Sequence, residues 1–205
     1  MHHPPTANPA RSPAGCFTAA PGELLTFVYG SDMHPEQIAS VCIRPEFVCL
    51  ARLEGHRLSF HGRFPMWDGA IETVVPDAGG NVWGAVHRLT SGDAQRLDAW
   101  HDARLDGSGP FFHCPAEVLD QAGKRHKVLL YKKDILGPAA PPSREYLDFI
   151  VRGARLRGAP EAWLASLATL ETRPAGYPVP LPPPNGLRRL SANDSCASCG
   201  GHSPS

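Results

Sequence analysis

The sequence predicts an α+β domain: a mixed sheet curled into a small barrel, with helices on its outside. Three observations predict it. Apolar, strand-like runs cluster in the middle of the chain, helix-period patterns sit toward the edges of the folded stretch, and both ends are too proline-rich to join either. The expected boundaries are a disordered arm over 1–22, a folded domain over 23–172, and a Pro-rich, Cys-containing flexible tail over 173–205.

Each element follows from local chemistry. Leu24-Leu25-Thr26-Phe27-Val28 reads as a short buried strand, and it runs into Tyr29-Gly30-Ser31-Asp32-Met33. Gly30 lets the backbone take φ > 0. Pro35 suits the first turn of a helix that places Ile38, Val41 and Cys42 on one face. A strand end, a glycine turn and a helix start then expose several backbone N–H groups at one point. That is a cradle for a carboxylate or phosphate. Val48 to Phe60 and Ala70 to Val75 read as strands, and Val82 to Leu89 as a third after a turn at Gly79-Gly80-Asn81. Thr90 and Asp93 have capping-box spacing and open a helix carrying Leu97 and Trp100. Phe111 to Leu119 and Lys127 to Lys132 straddle Asp120-Gln121-Ala122-Gly123-Lys124, a hairpin turn. Ser143 caps a helix with Tyr146, Leu147, Ile150, Val151 and Ala154 inward, and Pro160 starts a last helix with Trp163, Leu164 and Leu167.

The bulk numbers exclude several functions. Twenty acidic and twenty basic residues cancel, so no basic face invites nucleic acid. No apolar run approaches the ~20 residues of a membrane span, and Met1-His2-His3-Pro4-Pro5 opens no secretory signal. Four of the six cysteines (Cys16, Cys42, Cys49 and Cys114) are scattered, which reads as reduced thiols and a cytoplasmic location. The other two form Cys196-Ala197-Ser198-Cys199, with His202 nearby. That pair is half of a tetrahedral zinc site, or a redox pair, and is the one metal candidate in the sequence. Trp67, Trp83, Trp100 and Trp163 read as core.

The ordered motifs resemble the gamma-glutamylcyclotransferase (AIG2-like) family. They are Phe27 to Met33, Leu53-Glu54-Gly55-His56-Arg57-Leu58-Ser59-Phe60, Asp68-Gly69-Ala70-Ile71-Glu72-Thr73, Val82-Trp83-Gly84-Ala85-Val86, Leu97-Asp98, and Pro142-Ser143-Arg144-Glu145-Tyr146-Leu147. The resemblance implies a barrel of about six strands with flanking helices. It implies a cavity whose floor is Tyr29, Gly30, Ser31, Asp32 and Met33, holding a small gamma-glutamyl substrate. It implies a reaction without metal or organic cofactor, in which the substrate's alpha-amine attacks its own gamma-carbonyl. 5-Oxoproline forms and the amine leaves, much of the rate coming from proximity.

A base must free that amine. The family places a glutamate in a Leu-Asp-x-x-Glu pattern, and here Leu97-Asp98-Ala99-Trp100 is followed by His101 and then Asp102. Asp32 stands where the family usually has asparagine, and a carboxylate there repels a substrate carboxylate or attracts an amine. Three residues are candidates for the base. His101 has the family position and the right intrinsic basicity. Asp102 is adjacent, and Glu72 on its strand would point into the barrel and need a reason to be there. The resemblance favours Tyr29 bonding substrate through its hydroxyl, and Phe112 (or Phe111) falls near a family tyrosine that lines the cavity. The alternative is a catalytically silent small-ligand binding or assembly protein on the same fold. The sequence is silent on oligomeric state.

Overall fold

A computed structural model describes residues 23–181 apart from 105 and 107. Five strands close into a barrel in the order β1-β3-β2-β4-β5. They are β1 (Glu23–Val28), β2 (Glu46–Phe64), β3 (Gly69–Thr90), β4 (Phe111–Asp120) and β5 (Arg125–Lys133). Neighbours run antiparallel except at the closing seam, where β1 and β5 are parallel with Thr26 opposite Leu129. Phe27, Leu53, Val74, Val82, Val86, Val118, Val128 and Leu130 fill the interior. Closure leaves no long unpaired edge.

The strand number is five rather than about six, because two expected strands fuse. β2 and β3 form one long hairpin pairing from Glu46–Arg88 down to Phe64–Gly69. Gly79-Gly80-Asn81, read from sequence as a turn, stays within β3, where residues 77–80 bulge between the Pro76–His56 and Asn81–Glu54 pairs. A Gly-Gly-Asn turn signal is local, and continuous pairing to β2 on both sides overrides it. The hairpin at Asp120 to Lys124 is present, with Asp120 N donating to Lys124 O at 2.9 Å.

Among the described residues four helices sit outside: α1 (Pro35–Val41), α2 (Ser91–His101), α3 (Arg144–Leu156) and α4 (Glu161–Ala168). The caps match the sequence reading. Thr90 accepts from Asp93 N at 3.1 Å and Ser143 from Tyr146 N at 3.2 Å. Tyr146, Leu147, Ile150 and Ala154 of α3 are buried, packing among Trp67, Phe60 and Leu167 or beside Leu164. Gly153 lets α3 approach the chain after β1, since a Cβ there would lie 2.7 Å from His34 backbone. That approach fixes α3 against the Gly30–Met33 turn.

Residues 173–181, expected to belong to a flexible tail, are tied to the barrel. Arg173 Nη2 donates to Asp68 O at 2.6 Å, Gly176 N to Asp68 Oδ2 at 2.7 Å, and Leu181 N to Met66 O at 2.8 Å. Asp68 explains it. Its carboxylate is buried and needs several donors; the Gly176 amide and the Arg63 guanidinium hold its pKa below the usual range. Prolines preclude helix and central strand, but not an extended chain anchored between them.

Candidate active site

β1 ends at Val28, and Tyr29 to Met33 turn away from it as a short 3-10 segment over Gly30–Met33. Gly30 has φ +68°, and a Cβ there would fall 2.1 Å from Glu72 Oε1. Glycine is therefore demanded twice, by the backbone and by its neighbour. That neighbour alters the expected picture of the cradle. Ser31 N donates to Glu72 Oε1 at 2.9 Å, and Ser31 Oγ lies 3.2 Å from the same oxygen. The amide read as awaiting a substrate carboxylate already meets a carboxylate of the protein.

Strand alternation places Glu72 on the inward face of β3, with Ala70 and Val74. Tyr146 Oη of α3 donates to Glu72 Oε2 through a short hydrogen bond and lies 3.3 Å from Ser31 Oγ. Burial raises the pKa of Glu72, against the lowering effect of the Tyr146 and Ser31 bonds. Burial and the Glu72 charge also push the Tyr146 hydroxyl well above its ordinary value, so it remains a donor.

A second carboxylate faces the same space. Asp32 is 3% exposed, and its Oδ2 lies 2.8 Å from Nε2 of His101, the last residue of α2. Its Oδ1 meets no hydrogen-bond donor among the described residues. The His101 ring stacks on Tyr131 at 4.3 Å between centroids and 18° between planes. Tyr131 is in turn fixed by its hydroxyl, which donates to Asp98 Oδ1 at 2.5 Å. Asp98 also holds His113 Nε2 at 2.6 Å.

Glu72, Asp32, His101, Ser31, Tyr29 and Tyr131 all line one cavity of about 340 Å³, with Trp67, Trp100 and Phe111 among its apolar walls. His61, Arg63 and Lys133 border it as well. Other expectations land differently. The Tyr29 hydroxyl donates to the Tyr131 carbonyl, so it is committed within the barrel, while Tyr29 remains in the cavity lining. Met33 is fully buried in the core beside Leu50 and Leu164, where its carbonyl accepts from Arg157 Nε at 3.0 Å. Phe111 rather than Phe112 reaches the cavity, since successive side chains of β4 alternate. Asp102 borders the cavity at the left-handed end of α2 (φ +48°), but its half-exposed carboxylate pairs with Arg104 Nε at 3.0 Å.

The sequence reading missed Tyr131 and Tyr146 as site residues; Trp67, read as core, is buried in the core as expected and also lines the cavity. Their spacing marks them as buried; what their polar ends meet has no local signal. Cys196 and Cys199 lie outside the described residues.

Known proteins agree with this architecture. A mouse protein named gamma-glutamylcyclotransferase is 30% identical over 152 residues, covering 72% of this chain and 78% of its own. The chain belongs to the gamma-glutamylcyclotransferase family. The human gamma-glutamylcyclotransferase is also 30% identical, over 151 residues. The model of the AIG2-like family matches residues 81–167. A solved structure titled gamma-glutamyl cyclotransferase superposes with a TM-score of 0.71 at 28% identity, covering 77% of this chain and 93% of that one. In the present chain His101 ends α2 and the Glu72 carboxylate lies inside the barrel.

Proposed function

We propose that the chain cyclises a gamma-glutamyl amine or amide to 5-oxoproline, releasing the amine, and that Glu72 is the base. The observation that carries this reading is a carboxylate buried in the cavity wall with its pKa raised by desolvation. A carboxylate raised in this way is a stronger base than an exposed one, as removal of an ammonium proton requires.

The steps follow from the arrangement. The substrate's alpha-ammonium is drawn toward Glu72 and Asp32, two buried carboxylates that line the cavity. His101, held on Asp32 Oδ2, keeps Asp32 in place. The alpha-carboxylate turns toward the Lys133 ammonium at the cavity border, since the Ser31 amide is engaged by Glu72. Glu72 takes one ammonium proton, and the freed nitrogen attacks the gamma-carbonyl carbon. The new C–N bond closes the five-membered ring. As the old C–N bond breaks, the proton held by Glu72 passes to the departing nitrogen, and the second proton shed by the ring nitrogen completes its ammonium. Tyr131, Phe111 and Trp67 exclude water and keep the glutamyl chain folded, which supplies proximity.

A second reading has its own support. With the Ser31 amide filled by Glu72, the same cavity could hold a small cationic ligand without turning it over.

One assay separates the two. Purified protein is mixed with gamma-glutamyl amino acids, gamma-glutamyl amines and glutathione, and 5-oxoproline is quantified. The expected result is release by the wild type that falls by about 10²- to 10⁴-fold in Glu72→Gln. Full activity in Glu72→Gln with loss in His101→Gln would transfer the role to His101. No release from any compound, with calorimetric binding of an amine, would establish the binder.

A further inference from the structure

At the end of the barrel away from the cavity, we infer that Cys49, Asp120 and His126 form a binding site for a zinc-class divalent cation. It is built from three strands. Cys49 lies on β2, Asp120 ends β4, and His126 opens β5, opposite Val118. The Cys49 sulfur, one imidazole nitrogen and one carboxylate oxygen lie within 4.8 Å of one another.

The geometry fits an ion closely. His126 Nε2 is 2.8 Å from Asp120 Oδ2 and 3.8 Å from Cys49 Sγ. Around a tetrahedral zinc the corresponding separations are about 3.3 Å and about 3.6 Å, from bond lengths near 2.0 Å to oxygen or nitrogen and 2.3 Å to sulfur. The His126–Asp120 pair has to open by about half an ångström to reach that geometry. The carboxylate is already aimed. Asp120 Oδ1 accepts from Ala122 N and Lys124 N, each at 2.9 Å, so the hairpin turn locks the group and presents Oδ2 to His126. Such outer hydrogen bonds are what orient metal ligands. His126 is nearly buried, while Cys49 and Asp120 are half-buried, which leaves a fourth position for water.

The donor set selects the ion class. One sulfur, one nitrogen and one oxygen suit zinc or cobalt, and are poor for calcium or magnesium, which require oxygen. The site also lies on a short seam of the barrel. β2 and β4 pair at Ala51–Asp120 and Arg52–Leu119, whereas β4 and β5 pair from Phe111–Lys133 to Leu119–Arg125. A bound ion would staple β2 to the β4–β5 hairpin, where β2 and β4 pair over only two residues of each strand.

The test uses the reduced, metal-free full chain carrying Cys196→Ser and Cys199→Ser, so that the paired tail thiols do not compete. Titration with Co²⁺ should give thiolate-to-cobalt charge-transfer absorption saturating at one ion per chain. Zn²⁺ should displace it, and Mg²⁺ should not. Cys49→Ser should abolish the band, and Asp120→Asn should weaken affinity by at least about tenfold. Absence of the band in the parent, or its persistence in Cys49→Ser, overturns the assignment. Should Cys49→Ser not fold, alkylation of Cys49 in the parent is followed by mass spectrometry. Protection by Zn²⁺ supports the site, and an unchanged rate overturns it.

Discussion

Both ends of the barrel hold a histidine on an aspartate at the same 2.8 Å: His101 on Asp32 at one, His126 on Asp120 at the other. The pairs differ in what surrounds them. At the cavity end, Asp32 Oδ1 meets no donor among the described residues, and Asp32 lines the same cavity as buried Glu72. At the opposite end, both Asp120 oxygens are engaged, and the third neighbour is a sulfur. The first arrangement sets two buried carboxylates in the lining of one cavity, so it favours an organic cation. The second has three converging donors of different softness, so it favours a metal ion. The same two side chains acquire different chemistry from the third partner and from the room left over.

This contrast can be broken or sharpened experimentally, beginning with the strongest effect. Glu72→Gln should lower kcat by a factor equivalent to about 3–5 kcal/mol of barrier, while binding is retained; 5-oxoproline release reads the first and calorimetry the second. Gly30→Ala combines a positive φ with a Cβ 2.1 Å from Glu72 Oε1. It should cost about 2–4 kcal/mol of stability, measured by urea unfolding.

Tyr146→Phe removes the donor to Glu72 Oε2 and should cost about 1–3 kcal/mol. It carries a pH signature too. Activity should rise with pH as Glu72 loses its proton, with a midpoint above the ordinary 4.5 because burial raises it. Losing the Tyr146 hydrogen bond should move that midpoint higher. Stability runs the other way. A carboxyl whose folded pKa is raised stabilises fully below its unfolded value, and that contribution is lost as pH climbs through the folded one. Glu72→Gln should therefore flatten this downward slope, which unfolding followed across that window would detect.

The smallest effect is expected at the far end. Cys49→Ser should leave 5-oxoproline release unchanged, and a change of more than about twofold would mean that the two ends are coupled rather than separate.

Much of the fold was legible from the chain. Thr90 and Asp93, Ser143, Pro35 and the Asp120–Lys124 turn act within a few residues of themselves, so their caps and turns could be read locally. The turn signal at Gly79-Gly80-Asn81 misled because β2 pairs across it. The cavity was half legible. Glu72 was identifiable as a carboxylate on an inward strand face, and His101 by its motif position. That Glu72 would engage the Ser31 amide was not, since the two are 41 residues apart. The same holds for Tyr146 on Glu72, separated by 74, and for Cys49 beside His126, separated by 77.

By itself, the sequence determined which segments are strands and helices, where most of them begin, and which family they compose. Periodicity, capping and glycine turns are short-range, and the ordered motifs carry the rest. Tertiary structure alone decided which polar groups meet. It filled the cradle with Glu72, left Asp32 Oδ1 unmatched, and gathered sulfur, nitrogen and oxygen at one seam. Those meetings depend on barrel closure and strand register, and a shift of one residue would turn each of these side chains to the opposite face.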